Sequence, residues 1–397
     1  MTFNSSAMGE ARTRASEVEP ILLNRQVDTL LRRLRMAVVH GGDKTEEGAV
    51  LGAAGNQRSW KSYRPVAQDI AAALGRLGCR TPIEVLPDDM RLASRLRDNQ
   101  THLAWLNTAG VQGASAITHT PGTLEMLGVP YVGHEPLLAG ILDNKHLFKQ
   151  QLVAAGIPTA PSLLVRSSQR NFCPTQDERF HRVFGACRGP FIVKPVSGRA
   201  SLHVTFVDNI LLLREAVAAA IAATGAPVLI ERYLGGPEYC VAICGPVVAR
   251  GGVLERRERP FVFSALERRL EADEKIFTSM DLKPISDERA RLLHPVLDRR
   301  ALLQLSGLAH AVFEEFGVET LIRLDVRSDE DGNMFILEAN PKPDLKAPEE
   351  GRTSLVSIGL AAHSMSYDDL ILSILANRVD SLLAGGHPVI GRLAGAG

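Results

Sequence analysis

Three oxygen donors lie close together near the end of this 397-residue sequence: Asp325 in "LIRLDV", and Glu338 and Asn340 in "NMFILEAN". Both stretches are apolar enough to be strands, and strand side chains alternate between faces, so Arg323 and Asp325 share one face while Ile322, Leu324 and Val326 share the other. A hairpin turning on Asp331-Gly332 predicts Asp325 opposite Glu338 and Arg323 opposite Asn340. Facing carboxylates repel unless a cation lies between them. Magnesium fits that demand: it takes oxygen ligands, needs one or two carboxylates, and completes its shell with phosphate and water. The same residues also fit a solvated face on which Arg323 pairs one acid.

A metal held by so few protein oxygens implies a phosphate partner, and phosphates call for cations and amides. Lys194, inside the apolar run "PFIVKPV", must reach solvent, a carboxylate or a ligand. The "VSGRAS" that follows suits a loop laying backbone N–H groups over a polyphosphate. Lys145, two residues after Asp143, is placed to meet the same phosphates or simply to be solvated on a helix. Glu231 ends "VLIE" just before Gly235-Gly236, where an acid can accept from a ribose hydroxyl while the backbone from Ile230 to Tyr233 pairs with the adenine edge. The alternative is an edge-of-sheet acid paired with Arg232 or Arg199. Glu238, Arg259 and Lys275 are further polar candidates, and His40 in "HGGDKTEEG" stands after a strand, where α/β sheets bind ligands. Neither G-x-G-x-x-G nor GxxxxGK[ST] occurs.

The elements that must position these residues read as follows. An amphipathic helix over 21–35 precedes a buried strand, "MAVVHGG". A helix over 63–78 and a strand at 82–87 make an α/β unit with a parallel sheet. "LLAGILDNKHLFKQQLVAAG" predicts one helix of about two dozen residues ending at Gly156. "RGPFIVKPV" and "APVLIERYL" are strands around a helix, and "EYCVAICGPVVARGGVLE" reads as two strand runs whose Gly245-Pro246 break favours antiparallel pairing. Residues 287–316 read as mainly helical, 250–285 as the source of a charge-rich lid, and Ser366 with Asp369 as a capping box opening the last helix. The expected division is an extension at 1–35, an α/β substrate domain at 36–140, a central nucleotide subdomain at 141–234 and a metal-bearing subdomain at 235–397.

Composition narrows the partners. Forty-five Lys plus Arg balance forty-five Asp plus Glu, so net charge gives no reason to expect nucleic acid or an anionic membrane. No run approaches the roughly 18 apolar residues of a membrane span. The start has no apolar h-region of a secretory signal. Five cysteines without metal-finger spacing fit reduced thiols in a cytoplasm.

The order of motifs resembles the ATP-grasp superfamily, in its D-alanine-D-alanine ligase branch, from about Met36 to Val379. "MLGVPYVGHEPLLAGILDNKHLFKQQLVAAGIPT" resembles the block carrying the first ATP lysine, on Lys145; "FIVKP" the second, on Lys194; "VLIERYLGGPEY" the adenosine hinge, with Glu231, Tyr233 and Glu238. "RLDV" and "FILEAN" resemble the metal hairpin. The resemblance implies an N-terminal parallel-sheet α/β domain and two nucleotide-enclosing domains. It also implies ATP with two Mg2+ ions, for which Mn2+ substitutes, and ligation of them by Asp325, Glu338 and Asn340. Arg323 and Lys194 take the catalytic contacts, and Lys275, a polar candidate outside the matched motifs, is added to the expected ATP set. The reaction implied is an acylphosphate-forming carboxylate–amine ligation of small molecules, in a homodimer whose contact the 21–35 helix would enlarge.

The substrate loops depart from that branch. "HGGDKTEEGAV" has no Glu-His pair and serine, although Glu46 or Glu47 can substitute. "VSGRASLHV" carries Arg199 in place of a Glu-Gly-Ser-Ser run, and "NPKPDLKAPEEGRTS" offers Lys342 and Asp344 on the acceptor side. These departures imply a substrate pair other than two D-alanines. The alternatives are a kinase or ester-forming ligase of a small metabolite and an inactive nucleotide-binding regulatory protein.

Overall fold

The computed structural model describes residues 21–42, 63–169, 171–198, 201–271, 274–277, 289–349 and 353–395. The chain opens with helix α1 (21–33), whose Leu23, Val27, Leu30 and Leu31 recur at helical spacing and are buried. Strand β1 (Met36–His40) follows, buried at all five positions. Next come α2 (Arg64–Arg76), β2 (Glu84–Pro87), α3 (Leu92–Asp98), β3 (Leu103–Asn107), α4 (His119–Leu127) and β4 (Tyr131–Val132). The strands form a sheet in the order β2-β1-β3-β4, and every pair in it is parallel. Burial on both faces explains why β1 reads as a continuous apolar run.

The long helix expected before Gly156 is two helices, α5 (Pro136–Asp143) and α6 (Lys145–Ala154). Asn144 is extended and its side chain accepts from the amides of His146 and Leu147. That cap satisfies donors that a continuous helix would have bonded internally, and it puts Lys145 in the first position of a new helix.

A second sheet is built from β5 (Ser162–Val165), β6 (Phe191–Pro195), β7 (Thr205–Val207) and β8 (Val228–Arg232), with α7 (Glu178–Phe184) and α8 (Leu213–Thr224) between them in the chain. Its order is β5-β8-β6-β7, antiparallel throughout. Phe191, Val193, Val228 and Ile230 pack with Leu213 and Val217 of α8 in one cluster. Alternation then sends Ile192, Lys194, Leu229 and Glu231 to the opposite face.

The third sheet runs β13-β12-β9-β14-β15 and is antiparallel. Its strands are β9 (Glu238–Cys244), β12 (Phe261–Arg268), β13 (Ala290–Leu292), β14 (Ile322–Ser328) and β15 (Met334–Asn340). Between them lie β10 (Val247–Arg250), β11 (Val253–Arg256) and α9 (Arg299–Glu315), and α10 (Tyr367–Ala384) and α11 (Pro388–Ala394) end the chain.

Three expectations change here. The two runs either side of Gly245-Pro246 do not pair: β9 sits between β12 and β14, while β10 turns at Gly251-Gly252 onto β11. Both of those glycines have positive φ, the conformation a tight hairpin needs. Residues 290–292 are strand, and the helix begins only at Arg299. Of the 250–285 stretch expected to supply a lid, 253–256 and 261–268 are strands, and 272–273 and 278–285 lie outside the described residues.

α1 is no appendage. Its apolar stripe belongs to one cluster with Val38, Ile70, Leu254 and Ile371, and Asn24 exchanges two 3.0 Å hydrogen bonds with the Leu254 backbone. The outward face carries Arg25, Asp28, Arg32 and Arg33, all exposed. The apolar stripe of α1 is therefore buried within the chain, which leaves its charged outward face for any subunit contact. The last helix opens as expected: Ser366 Oγ accepts from the Asp369 amide at 3.0 Å and Asp369 Oδ2 accepts from the Ser366 amide at 2.9 Å.

Candidate active site

The opposite face of the second sheet looks across a cleft of about 810 Å³, counting its open mouth, at β9, β12, β14 and β15 of the third. β6 contributes Ile192 and Lys194 to it, and β8 contributes Glu231. The Lys194 ammonium lies 2.9 Å from Glu231 Oε1, and Lys149 from α6 reaches the same oxygen at 3.4 Å. All three are buried. Burial opposes ionisation of Glu231, but the two ammonium groups outweigh it and hold its carboxyl below the usual range. Burial lowers Lys149 to about 8, whereas for Lys194, the closer of the two, Glu231 and Glu338 outweigh burial and hold it above its ordinary value.

Lys149 was not singled out by sequence reasoning. Its ammonium also donates to Thr159 Oγ1 at 2.7 Å, and that hydroxyl donates to the Ile336 carbonyl at 2.7 Å. One lysine therefore ties α6, the connector before β5, the hinge strand β8 and the metal-side strand β15. Its signal was its spacing, one helical turn from Lys145.

Lys145 reaches both sides of the cleft. Its Nζ donates to the Gly198 carbonyl at 3.0 Å and sits 3.2 Å from Glu338 Oε2. The strand pairing sets Asp325 opposite Glu338 and Arg323 opposite Asn340, as the sequence predicts, but by another route. The loop is 329–333, held by Asp329, which accepts from the amides of Asp331 and Asn333. A bulge between Asp325 and Val326 leaves Leu337 as the extra residue and restores the register. Leu337 lines the cleft.

Asp325 does not face Glu338 as a bare carboxylate. Arg323 donates to it from Nε at 2.9 Å and Nη2 at 3.2 Å, and Arg268 Nη2 lies 3.0 Å from Oδ2. Burial pushes Asp325 upward, but the two guanidinium groups hold it below its usual range. On β14 the face is buried, Arg323, Asp325 and Arg327 each being under a tenth exposed, whereas Glu338 and Asn340 of β15 are half-buried, and Arg323 does pair one acid as the alternative reading has it. Asn340 Oδ1 accepts from the Lys342 amide at 3.1 Å. These are oxygen donors of the kind magnesium takes, and Glu338 is the carboxylate among them that carries no arginine.

The hinge is occupied differently from expectation. Glu231 serves two lysines, and the backbone of Ile230 to Tyr233 is largely used in the sheet, with the Tyr233 amide donating to Pro190 O at 3.1 Å. Leu234 is the next residue lining the cleft. Tyr233 instead receives Arg327: Nη2 donates to its hydroxyl at 2.8 Å and the guanidinium stacks 4.6 Å from the ring centre. Lys275 brings only its carbonyl, which accepts from Arg327 at 3.1 Å, while its side chain is exposed and off the cleft. Glu46 and Arg199 lie outside the described residues.

The other substrate candidates gather elsewhere. Lys342 is buried, its ammonium 3.3 Å from the Tyr63 ring centre and 3.4 Å from Asn107 Oδ1, in a smaller cleft of about 350 Å³ that Trp105 and Gly133 also line. His40 closes β1, its Nδ1 accepting from the Gly42 amide at 3.1 Å. Asp344 pairs with Lys346 at 3.1 Å. Neither His40 nor Asp344 lines either cleft.

Two antiparallel sheets closing on a lysine-rich cleft beside a parallel-sheet unit is the ATP-grasp architecture. A D-alanine–D-alanine ligase of Bacillus anthracis solved with ATP superposes with a TM-score of 0.63 at 18% identity, covering 89% of this chain and all of that one. The VanG D-Ala:D-Ser ligase of Enterococcus faecalis gives 0.60 at 14% identity, covering 87% of this chain and all of that one. In sequence, a D-alanine–D-alanine ligase of Pseudomonas entomophila is 27% identical over 87% of this chain and 93% of its own length. The D-ala D-ala ligase C-terminus family matches residues 152–376, and the chain belongs to it. It is accordingly an ATP-dependent carbon–nitrogen ligase acting on small molecules. No helix among the described residues is long and apolar enough to cross a membrane.

Proposed function

We propose that this ligase joins the carboxylate of a small amino acid or related acid to an amine, forming an amide or peptide bond through an acylphosphate. The observation that carries this reading is the meeting of Lys145 with Glu338 at 3.2 Å, in the same cleft as Lys194. Cations for a polyphosphate and an acid for its metal then share one pocket. In the first step a carboxylate oxygen attacks the γ-phosphorus, the bond to the bridging oxygen breaks and ADP leaves. In the second the amine nitrogen attacks the acyl carbon, phosphate departs with the bonding pair and the nitrogen loses a proton.

Lys145 and Lys194 bind and orient the phosphates, and Lys149 with Glu231 fixes Lys194 in place. Arg323, whose guanidinium holds Asp325, would add a fixed positive charge to the site. Glu338 and Asn340, with Asp325 adjoining, would hold magnesium or manganese, which supplies charge neutralisation on the phosphates. Closure over a cleft whose walls include Ile192 and Leu337 would exclude water that otherwise hydrolyses the acylphosphate.

The departures in the substrate loops support a pair other than two D-alanines, with Lys342 in the smaller cleft as a substrate-side cation. The five free cysteines support a reducing, cytoplasmic setting, and a homodimer is the assembly we propose from the family resemblance. Candidate pairs, with D-alanine twice as one arm, are supplied with ATP and magnesium. ADP and phosphate are expected in equal amounts, with the amide seen by mass spectrometry. Glu338→Gln should reduce turnover by about a hundredfold or more while the protein stays folded; unchanged turnover would remove Glu338 from the site.

A further inference from the structure

The third sheet carries one polar rung across three neighbouring strands. Register sets Arg268 of β12 opposite Glu238 of β9, and Glu238 opposite Arg327 of β14. The Glu238 carboxylate is held between two guanidinium groups, at 2.6 Å from Arg268 Nη2 and 3.4 Å from Arg327 Nη1. Arg268 also reaches Asp325, whose other contacts come from Arg323. Both oxygens of Asp325 thus accept from fixed cations. Arg268 is about nine-tenths buried and lines the cleft, and its Nε is buried with no hydrogen-bond partner among the described residues. A desolvated guanidinium N–H without a partner in a cleft asks for an anionic oxygen.

We infer that Arg268 is a built-in counter-charge for the polyphosphate, standing on Asp325 where a second divalent ion would bind. The site then takes a single divalent ion, carried on Glu338 and Asn340. This rests on the ATP reading above. A guanidinium fits the role because its planar fork engages a carboxylate on one edge and a phosphate on another, and it keeps its charge at any working pH. A permanent cation on Asp325 also repels a metal from that carboxylate.

Counting bound metal tests this. The full chain is loaded with a nonhydrolysable ATP analogue and titrated with Mn2+, free manganese being read by electron paramagnetic resonance and nucleotide affinity by calorimetry. One manganese per nucleotide-loaded chain is expected for the wild type and for Arg268→Lys. Two are expected for Arg268→Met, with nucleotide binding weakened about tenfold at fixed manganese. Two in the wild type would overturn the inference while leaving the ATP site standing. One in Arg268→Met would overturn it equally, and no nucleotide binding by the wild type would overturn both readings. If Arg268→Met does not fold, the wild-type and Arg268→Lys counts decide.

Discussion

Lys149 illustrates how much of a site depends on a side chain that touches no substrate. Its ammonium is wholly buried against Glu231 and Thr159, so removing it strands Glu231 on one partner and loosens β15 from the hinge. Lys149→Met should lower unfolding free energy by roughly 3 kcal/mol in urea titrations and weaken ATP more than it slows turnover. Arg268, Arg327 and Lys149 were all present in the sequence as ordinary charges. Arg327 shares the alternation that places Arg323 and Asp325, so its face was legible. Its partner Tyr233 was not, because that pairing joins residues 94 positions apart. His134 adds a pH signature: it is buried beside the Leu321 and Pro341 backbone, and burial lowers it from an ordinary 6.5 to about 4. The unfolded chain binds this proton first as pH falls, so the contribution is complete above 6.5 and is lost progressively between 6.5 and about 4. It amounts to about 3 kcal/mol. His134→Gln should flatten the stability slope across that window in pH-dependent urea melts; an unchanged slope would assign it to other groups.

At the scale of elements, local chemistry was readable and its irregularities were not. The Ser366 box, the apolar run of β1 and the alternation in β6 and β8 follow from neighbouring residues. The register of β14 on β15 was legible only as a sum: a longer loop and a bulge at Leu337 cancel, and nothing in "RSDEDGNMFIL" announces both. Asn144 broke the expected helix because its side chain caps α6, a competition between side chain and backbone that helical periodicity does not register. Asn144→Ala should cost about 1 kcal/mol of stability and raise the KM for ATP, since the cap sets where Lys145 begins its helix. The β9 pairing was missed because strand partners on both sides, β12 and β14, lie farther along the chain than β10 does.

For the whole molecule, the N-terminal helix and the C-terminal helices share one core with the parallel sheet, so the two ends of the described chain are thermodynamically linked. Leu30 is 1% exposed within that core. Leu30→Ala should destabilise the fold by about 2–5 kcal/mol in a single cooperative transition; a separate early transition for the first helix would show that it docks independently. The cleft between the second and third sheets is where the assembled fold brings residues from three chain regions together. A crystal structure with a nonhydrolysable ATP analogue and magnesium probes that claim directly. The triphosphate is predicted against Lys145 and Lys194, with the metal on Glu338 and Asn340 and the base beside Leu234. Nucleotide bound outside that cleft, or phosphates remote from both lysines, would contradict it.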